Sequence, residues 1–119
     1  MDADKVDKVW DRFKTQDELA EEYLRLTDIE LPSMQQQIIK HYGYEAQLKK
    51  LIEELRELAD AIIYGHPEAH IKEEIADVLN VIEQVTDFKG WNEEIYSIKF
   101  YKTKRQLERI SNEKSQKSL

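Results

Sequence analysis

The 119-residue chain has no cysteine, three glycines and two prolines. Without cysteine there is no disulfide framework, no thiolate metal ligand and no cysteine nucleophile. So few glycines and prolines leave too few turns for an all-β fold, which needs one every eight to twelve residues or so. No apolar run reaches the roughly 18 residues of a membrane span, and the N-terminus lacks the basic-then-apolar pattern of a secretory signal. These absences point to a cytoplasmic protein with no membrane partner. A glycine-rich phosphate loop and a Ser-His-Asp set are also missing. What remains is a composition of 36% charged and 40% hydrophobic residues. It is too apolar for disorder, too charged for a deep core, and long enough for one domain.

Charge is unevenly spread. The net charge is -7, yet Lys99 to Leu119 holds seven basic residues against two acidic ones. The first 98 residues therefore carry 11 basic and 23 acidic side chains. Such a body repels nucleic acid, whose binding rests on phosphate neutralisation. It still suits a phosphorylated small molecule if metal ions offset the carboxylates. A solvated acidic surface with a basic tail is the plainer reading of the same numbers.

Local signals punctuate the chain into five or six helices. Val6, Val9, Trp10 and Phe13 share a helical stripe between about Ala3 and Phe13. Thr15 with Glu18 reads as a capping box opening a segment that carries Leu19, Tyr23 and Leu26. Asp28 to Pro32 reads as a break, and Ser33 with Gln36 as a second capping box leading through Ile38 and Ile39 to about Tyr42. Gly43 ends or bends that helix. A long helix follows from about Glu45 to Tyr64, with Gly65 beyond its end and Pro67 at the first turn of the next. The next stops at Gly90. Asn92 is the expected cap of the last helix, with Trp91 and Tyr96 as its hydrophobic staple. Past about Ile110 the text turns to Ser, Asn, Lys and Gln, and fraying is expected. The fold class is all-α, an antiparallel helix bundle completed by oligomerisation. Residues 1–32 form an unplaced N-terminal extension, 33–112 the helical domain and 113–119 the tail.

Two acidic clusters stand out. On the long helix, beside the stripe of Leu48, Leu51, Leu55, Leu58 and Ile62, the carboxylates of Glu53, Glu54 and Glu57 crowd one side. The following helix repeats the pattern with Glu73, Glu74 and Asp77. At about 100° per residue Glu74 falls between Val81 and Val85, within the stripe of Ile71, Ile75, Val78 and Ile82. A carboxylate aimed there must be protonated, paired or bound to a metal, because burying it bare costs several kcal/mol. Antiparallel helices joined by a short turn bring both clusters together, as a hard oxygen site suited to Mg²⁺ or Mn²⁺. Either cluster alone is ordinary helix-surface text.

The string Glu53-Glu54-x-x-Glu57, followed 17 positions after Glu57 by Glu74-x-x-Asp77, resembles the signature of the MazG-like all-α nucleoside triphosphate pyrophosphohydrolases. The surrounding QLKKLIEELRELADAI and IKEEIADVLNVIEQ resemble the same family, especially its short single-domain phage and bacterial members. The resemblance covers about Ser33 to Ile110; related dUTPases, dCTPases and phosphoribosyl-ATP pyrophosphohydrolases share the architecture. It implies hydrolysis of a (deoxy)nucleoside triphosphate to its monophosphate and pyrophosphate. By motif position Glu54, Glu57, Glu74 and Asp77 would be the Mg²⁺ ligands, and Glu53 a supporting group or the base that orients water. It also implies a homodimer or homotetramer.

Phosphates need positive donors. Lys102, Arg105 and Arg109 share a face of the last helix, and family members similarly carry a basic last helix that reaches the triphosphate, so Lys102 and Arg105 are candidate substrate contacts. Asn80, one turn beyond Asp77, is a third. His66 and His70 are four apart, but Pro67 spoils the geometry of a zinc pair, and loop and cap roles suit them better. Trp10 and Trp91 suit core and staple duties better than base stacking. Two other function classes remain: a helical interaction module of antitoxin or adaptor type, and a nucleotide sensor without turnover.

Overall fold

The computed structural model describes residues 16–25 and 30–117, which form five helices with no strand among them. They are α1 (Gln16–Arg25), α2 (Leu31–Tyr42), α3 (Tyr44–Ile63), α4 (Glu68–Lys89) and α5 (Asn92–Lys117). The expected helix from Ala3 to Phe13, with Trp10, and the Thr15 cap lie outside the described residues.

α3 and α4 are the central antiparallel pair, and α2 lies along α4 and, less extensively, α3. The α3–α4 turn is closed by Gly65 at φ 64°, with Gly65 N donating to Ile62 O and His66 N to Ala61 O. This left-handed closure puts glycine where the sequence placed its stop. Gly90 closes α4 the same way, with bonds to Asp87 O and Thr86 O. Gly43, at φ 94°, is a one-residue break between α2 and α3.

The seam between the central helices differs from the expected stripes. On α3 the buried positions are Gln47, Glu54 and Ala61, one heptad apart, while Leu55 and Ile62 face outward. On α4 the buried set is Glu74, Val78, Val81, Gln84 and Val85, and Ile75 is exposed. Each helix carries apolar residues on two sides, and periodicity alone does not say which side meets the partner helix. Among the described residues the buried apolar ones are Ile39, Ala61, Val78, Val81 and Val85, a thin core.

Helix starts also differ. α2 begins at Leu31 with Pro32 in its first turn, so Ser33 lies inside it and its Oγ accepts from Gln37 Nε2 at 3.5 Å instead of capping. Proline, with φ preset and no N–H to satisfy, opens the helix in place of the serine. Asn92 donates its side-chain amide to Asp87 Oδ1 and is not a cap. Tyr96 stays 68% exposed, so the expected staple with Trp91 buries little of it. Trp91 instead lies beside Lys89, whose Nζ also sits 4.3 Å from the Tyr44 ring centroid. Tyr44 in turn stacks on Phe88, tying the start of α3 to the end of α4. α5 continues to Lys117, past the Ile110 where fraying was expected, and none of its residues is buried. No described helix is long and apolar enough to cross a membrane.

Candidate metal and nucleotide site

Glu54 and Glu57 project from the middle of α3, and Glu74 and Asp77 from the first half of α4. Antiparallel pairing places one carboxylate oxygen of each within 4.8 Å of the others. Glu54 and Glu74 are buried, while Glu57 and Asp77 form the exposed rim. Glu54 Oε2 and Glu74 Oε2 are buried with no hydrogen-bond partner. Two orphaned anionic oxygens side by side are costly unless a cation sits between them.

Repulsion shows in the protonation equilibria. Glu57 is raised from its ordinary 4.5, first by the charge of Glu54 and then by desolvation and the charge of Glu74. Asp77 is raised from 3.8, mainly by desolvation, with the charges of Glu54 and Glu74 adding to it and Lys50 opposing. All four donors are hard oxygens, with an open rim for substrate and water. That set fits Mg²⁺ or Mn²⁺ and offers nothing to a soft metal.

Two basic side chains whose place here sequence reasoning missed stand at the site. Lys50 Nζ lies 3.2 Å from Glu54 Oε1 and 3.7 Å from Glu53 Oε2. Its own pKa is raised, chiefly by the hydrogen bond to Glu54. His70 Nε2 lies 3.4 Å from Glu74 Oε1. The loop and cap role expected of His70 is therefore corrected: it sits on α4 one turn before Glu74, because α4 starts at Glu68. His66 keeps its place in the turn. Both side chains stand four residues before a buried glutamate, a spacing visible in the sequence once the glutamates are known to face inward.

Beside the carboxylates opens a cleft of about 500 Å³. Glu53, Glu54 and Asp77 line one part of it together with Lys49 and Lys50, and Gln47, Asn80 and Gln84 line another. Ile38 and Tyr42 of α2 add apolar wall. Glu53 thus borders the cleft without joining the four-carboxylate cluster. Asn80 also borders it. Lys102 and Arg105 do not: they line a shallow groove along α5 with Ile98, Tyr101 and Glu108, and α5 packs extensively against neither α2 nor α3.

Residues 42–94 match the family model of the MazG nucleotide pyrophosphohydrolase domain. The match takes in all four clustered carboxylates and leaves most of α2 and α5 outside. No curated protein and no solved structure matches the chain.

Proposed function

We propose that this MazG-like chain hydrolyses nucleoside or deoxynucleoside triphosphates to the monophosphate and pyrophosphate. The observation that carries the reading is the convergence of Glu54, Glu57, Glu74 and Asp77, with two buried, unpartnered oxygens, inside the segment that matches a nucleotide pyrophosphohydrolase domain.

In this reading the four carboxylates hold Mg²⁺, with Mn²⁺ as a substitute. When bound, the ion would supply charge neutralisation for the leaving pyrophosphate and lower the pKa of nearby water. Glu53, at the cleft edge and outside the cluster, orients the attacking water and takes its proton on the side-chain carboxylate. Water forms the new bond to the α-phosphorus as the bond to the bridging oxygen breaks. Lys50, tied to Glu54, limits repulsion between the cluster and the incoming triphosphate. Asn80 meets the nucleoside.

Lys102 and Arg105 reach the triphosphate from a second copy of the chain. The cleft has few cations of its own for three phosphates, and α5 is basic, buries none of its residues and makes no extensive packing on the central pair. The functional unit is accordingly a homodimer or homotetramer, acting on small nucleotides in the cytoplasm.

Pyrophosphate release from the common NTPs and dNTPs, with Mg²⁺, with Mn²⁺ and in EDTA, tests the reading. Metal-dependent release with one monophosphate per pyrophosphate is expected. Nucleotide binding without release would make the protein a sensor, and neither binding nor release would leave an interaction module.

A further inference from the structure

A chain of side-chain amides crosses all three packed helices beside the cleft. Gln35 Nε2 of α2 donates to Asn80 Oδ1 and to Glu83 Oε1, each at 3.1 Å. Gln84 Nε2 donates to the same Asn80 oxygen at 3.4 Å, and Gln47 Nε2 donates to Gln84 Oε1 at 2.6 Å. Gln35, Gln47 and Gln84 are all buried. Three buried amides are an expensive way to fill a thin core unless their hydrogen bonds serve something.

The two ends of an amide have nearly the same shape, so the network decides which end faces where. Glu83 settles the matter here. It is an exposed carboxylate, which when ionised only accepts. The end of Gln35 that faces it must therefore be the NH₂. That same nitrogen also faces Asn80, so Asn80 must turn its carbonyl to Gln35. With Oδ1 engaged twice, Asn80 has its Nδ2 donor left over, and Asn80 lines the cleft one turn from Asp77.

We propose that Gln35 and Glu83, neither of which lines the cleft, are positioning residues that fix Asn80 as a hydrogen-bond donor toward the nucleoside, and so select nucleosides with an acceptor at that point. The inference rests on the nucleotide reading above. It adds a residue that lies outside the matched domain, since Gln35 belongs to α2 before position 42. The acceptor is a base carbonyl or ring nitrogen, or a sugar hydroxyl oxygen.

The paired exchange Gln35→Glu with Glu83→Gln conserves charge and shape but reverses the polarity. The carboxylate now at position 35 accepts from the amide at position 83 and from Asn80, which must give it Nδ2 and turn Oδ1 to the cleft, with Gln84 and then Gln47 reversing their amides in turn so that no two donors face each other. With each of the eight common NTPs and dNTPs that turns over, KM is expected to rise about tenfold, or about 1.4 kcal/mol, with kcat within about twofold. Glu83→Ala, at an exposed position, only releases the anchor, and about a threefold rise in KM is expected. Side-chain amide exchange by ¹⁵N NMR reads the polarity without any turnover. In the wild type the Asn80 NH₂ should exchange rapidly with water while those of Gln35 and Gln84 are protected, and the paired exchange should protect Asn80. An unchanged KM in the folded paired variant, or a protected Asn80 NH₂ in the wild type, overturns the proposal. Absence of turnover and nucleotide binding in the wild type overturns the nucleotide reading instead, whatever the exchange pattern.

Discussion

On the proposed reading, Glu74 concentrates the chemistry of the site in one side chain. Its carboxylate is buried, with Oε1 near His70 and Oε2 unpartnered. Glu74→Gln should lower Mg²⁺-dependent turnover by more than about a hundredfold, the loss that even groups supporting a metal ligand can produce. In EDTA the same variant should melt at or above the wild type, because it removes a charge that repels Glu54, Glu57 and Asp77. A melt several degrees lower in EDTA would show that the contact with His70 is a structural salt bridge that outweighs the repulsion. Glu57 allows a separate test by pH. Its pKa is higher in the folded chain, so its contribution to stability is present below the ordinary 4.5 and lost as pH rises through the raised value. In EDTA at pH 7, Glu57→Gln should therefore melt above the wild type, and the gap should close on acidification through the raised value. A gap that widens toward pH 4 would contradict the repulsion read from the geometry.

Between elements, the decisive contrast is between α3–α4 and α5. The central pair is held by a heptad seam whose members include Gln47, Glu54, Glu74 and Gln84. Polar residues in a seam lower its stability, and they are tolerated where they serve a site. α5 is twenty-six residues long, about 39 Å at 1.5 Å per residue, and buries none of them. Length favours a helix, but in folded proteins most helical stability comes from packing an apolar face. Tyr101, Phe100 and Leu107 on α5 are more than half exposed and await such packing. If α5 of a second copy meets the cleft, Arg105→Ala should raise the nucleotide KM roughly tenfold, the cost of one charged contact. Mg²⁺ binding without nucleotide, followed by calorimetry, should be nearly unchanged. Unaltered nucleotide kinetics would return Arg105 to the solvated face of its helix.

At the scale of the whole molecule, the dimensions argue for assembly. The radius of gyration is 18.7 Å, against about 13.5 Å for a compact chain of this length. The accessible surface is 10163 Å², against roughly 6,800 Å² for a folded monomer of this mass. Ile52, Leu55, Ile62, Ile63 and Leu79 add an exposed apolar face on the central pair, each at least 46% accessible. Light scattering at micromolar concentration should give at least twice 14.2 kDa. A monomer mass would remove the second chain from the site, and with it the route proposed for Lys102 and Arg105.

Much of this protein was determined by local chemistry that a sequence carries on its face. Gly65 and Gly90 end helices because only glycine takes a left-handed residue at no steric cost, and they do so where they stand in the text. The paired spacing of Glu54, Glu57, Glu74 and Asp77 places each pair on one side of its helix before any packing is known. That Glu74 points inward followed from its angle to Val78, Val81 and Val85. Tertiary structure decided the rest. α3 and α4 have apolar residues on two faces, so periodicity chose Leu55, Ile62 and Ile75 where the seam uses Ala61, Val81 and Val85. The pairing of Lys50 and His70 with buried glutamates depended on that choice. The amide relay was least legible, since Gln35, Gln47, Asn80 and Gln84 come from three helices and up to 49 positions apart. A hydrogen bond between side chains so distant in sequence exists only once packing has brought their helices together, and no local pattern encodes it.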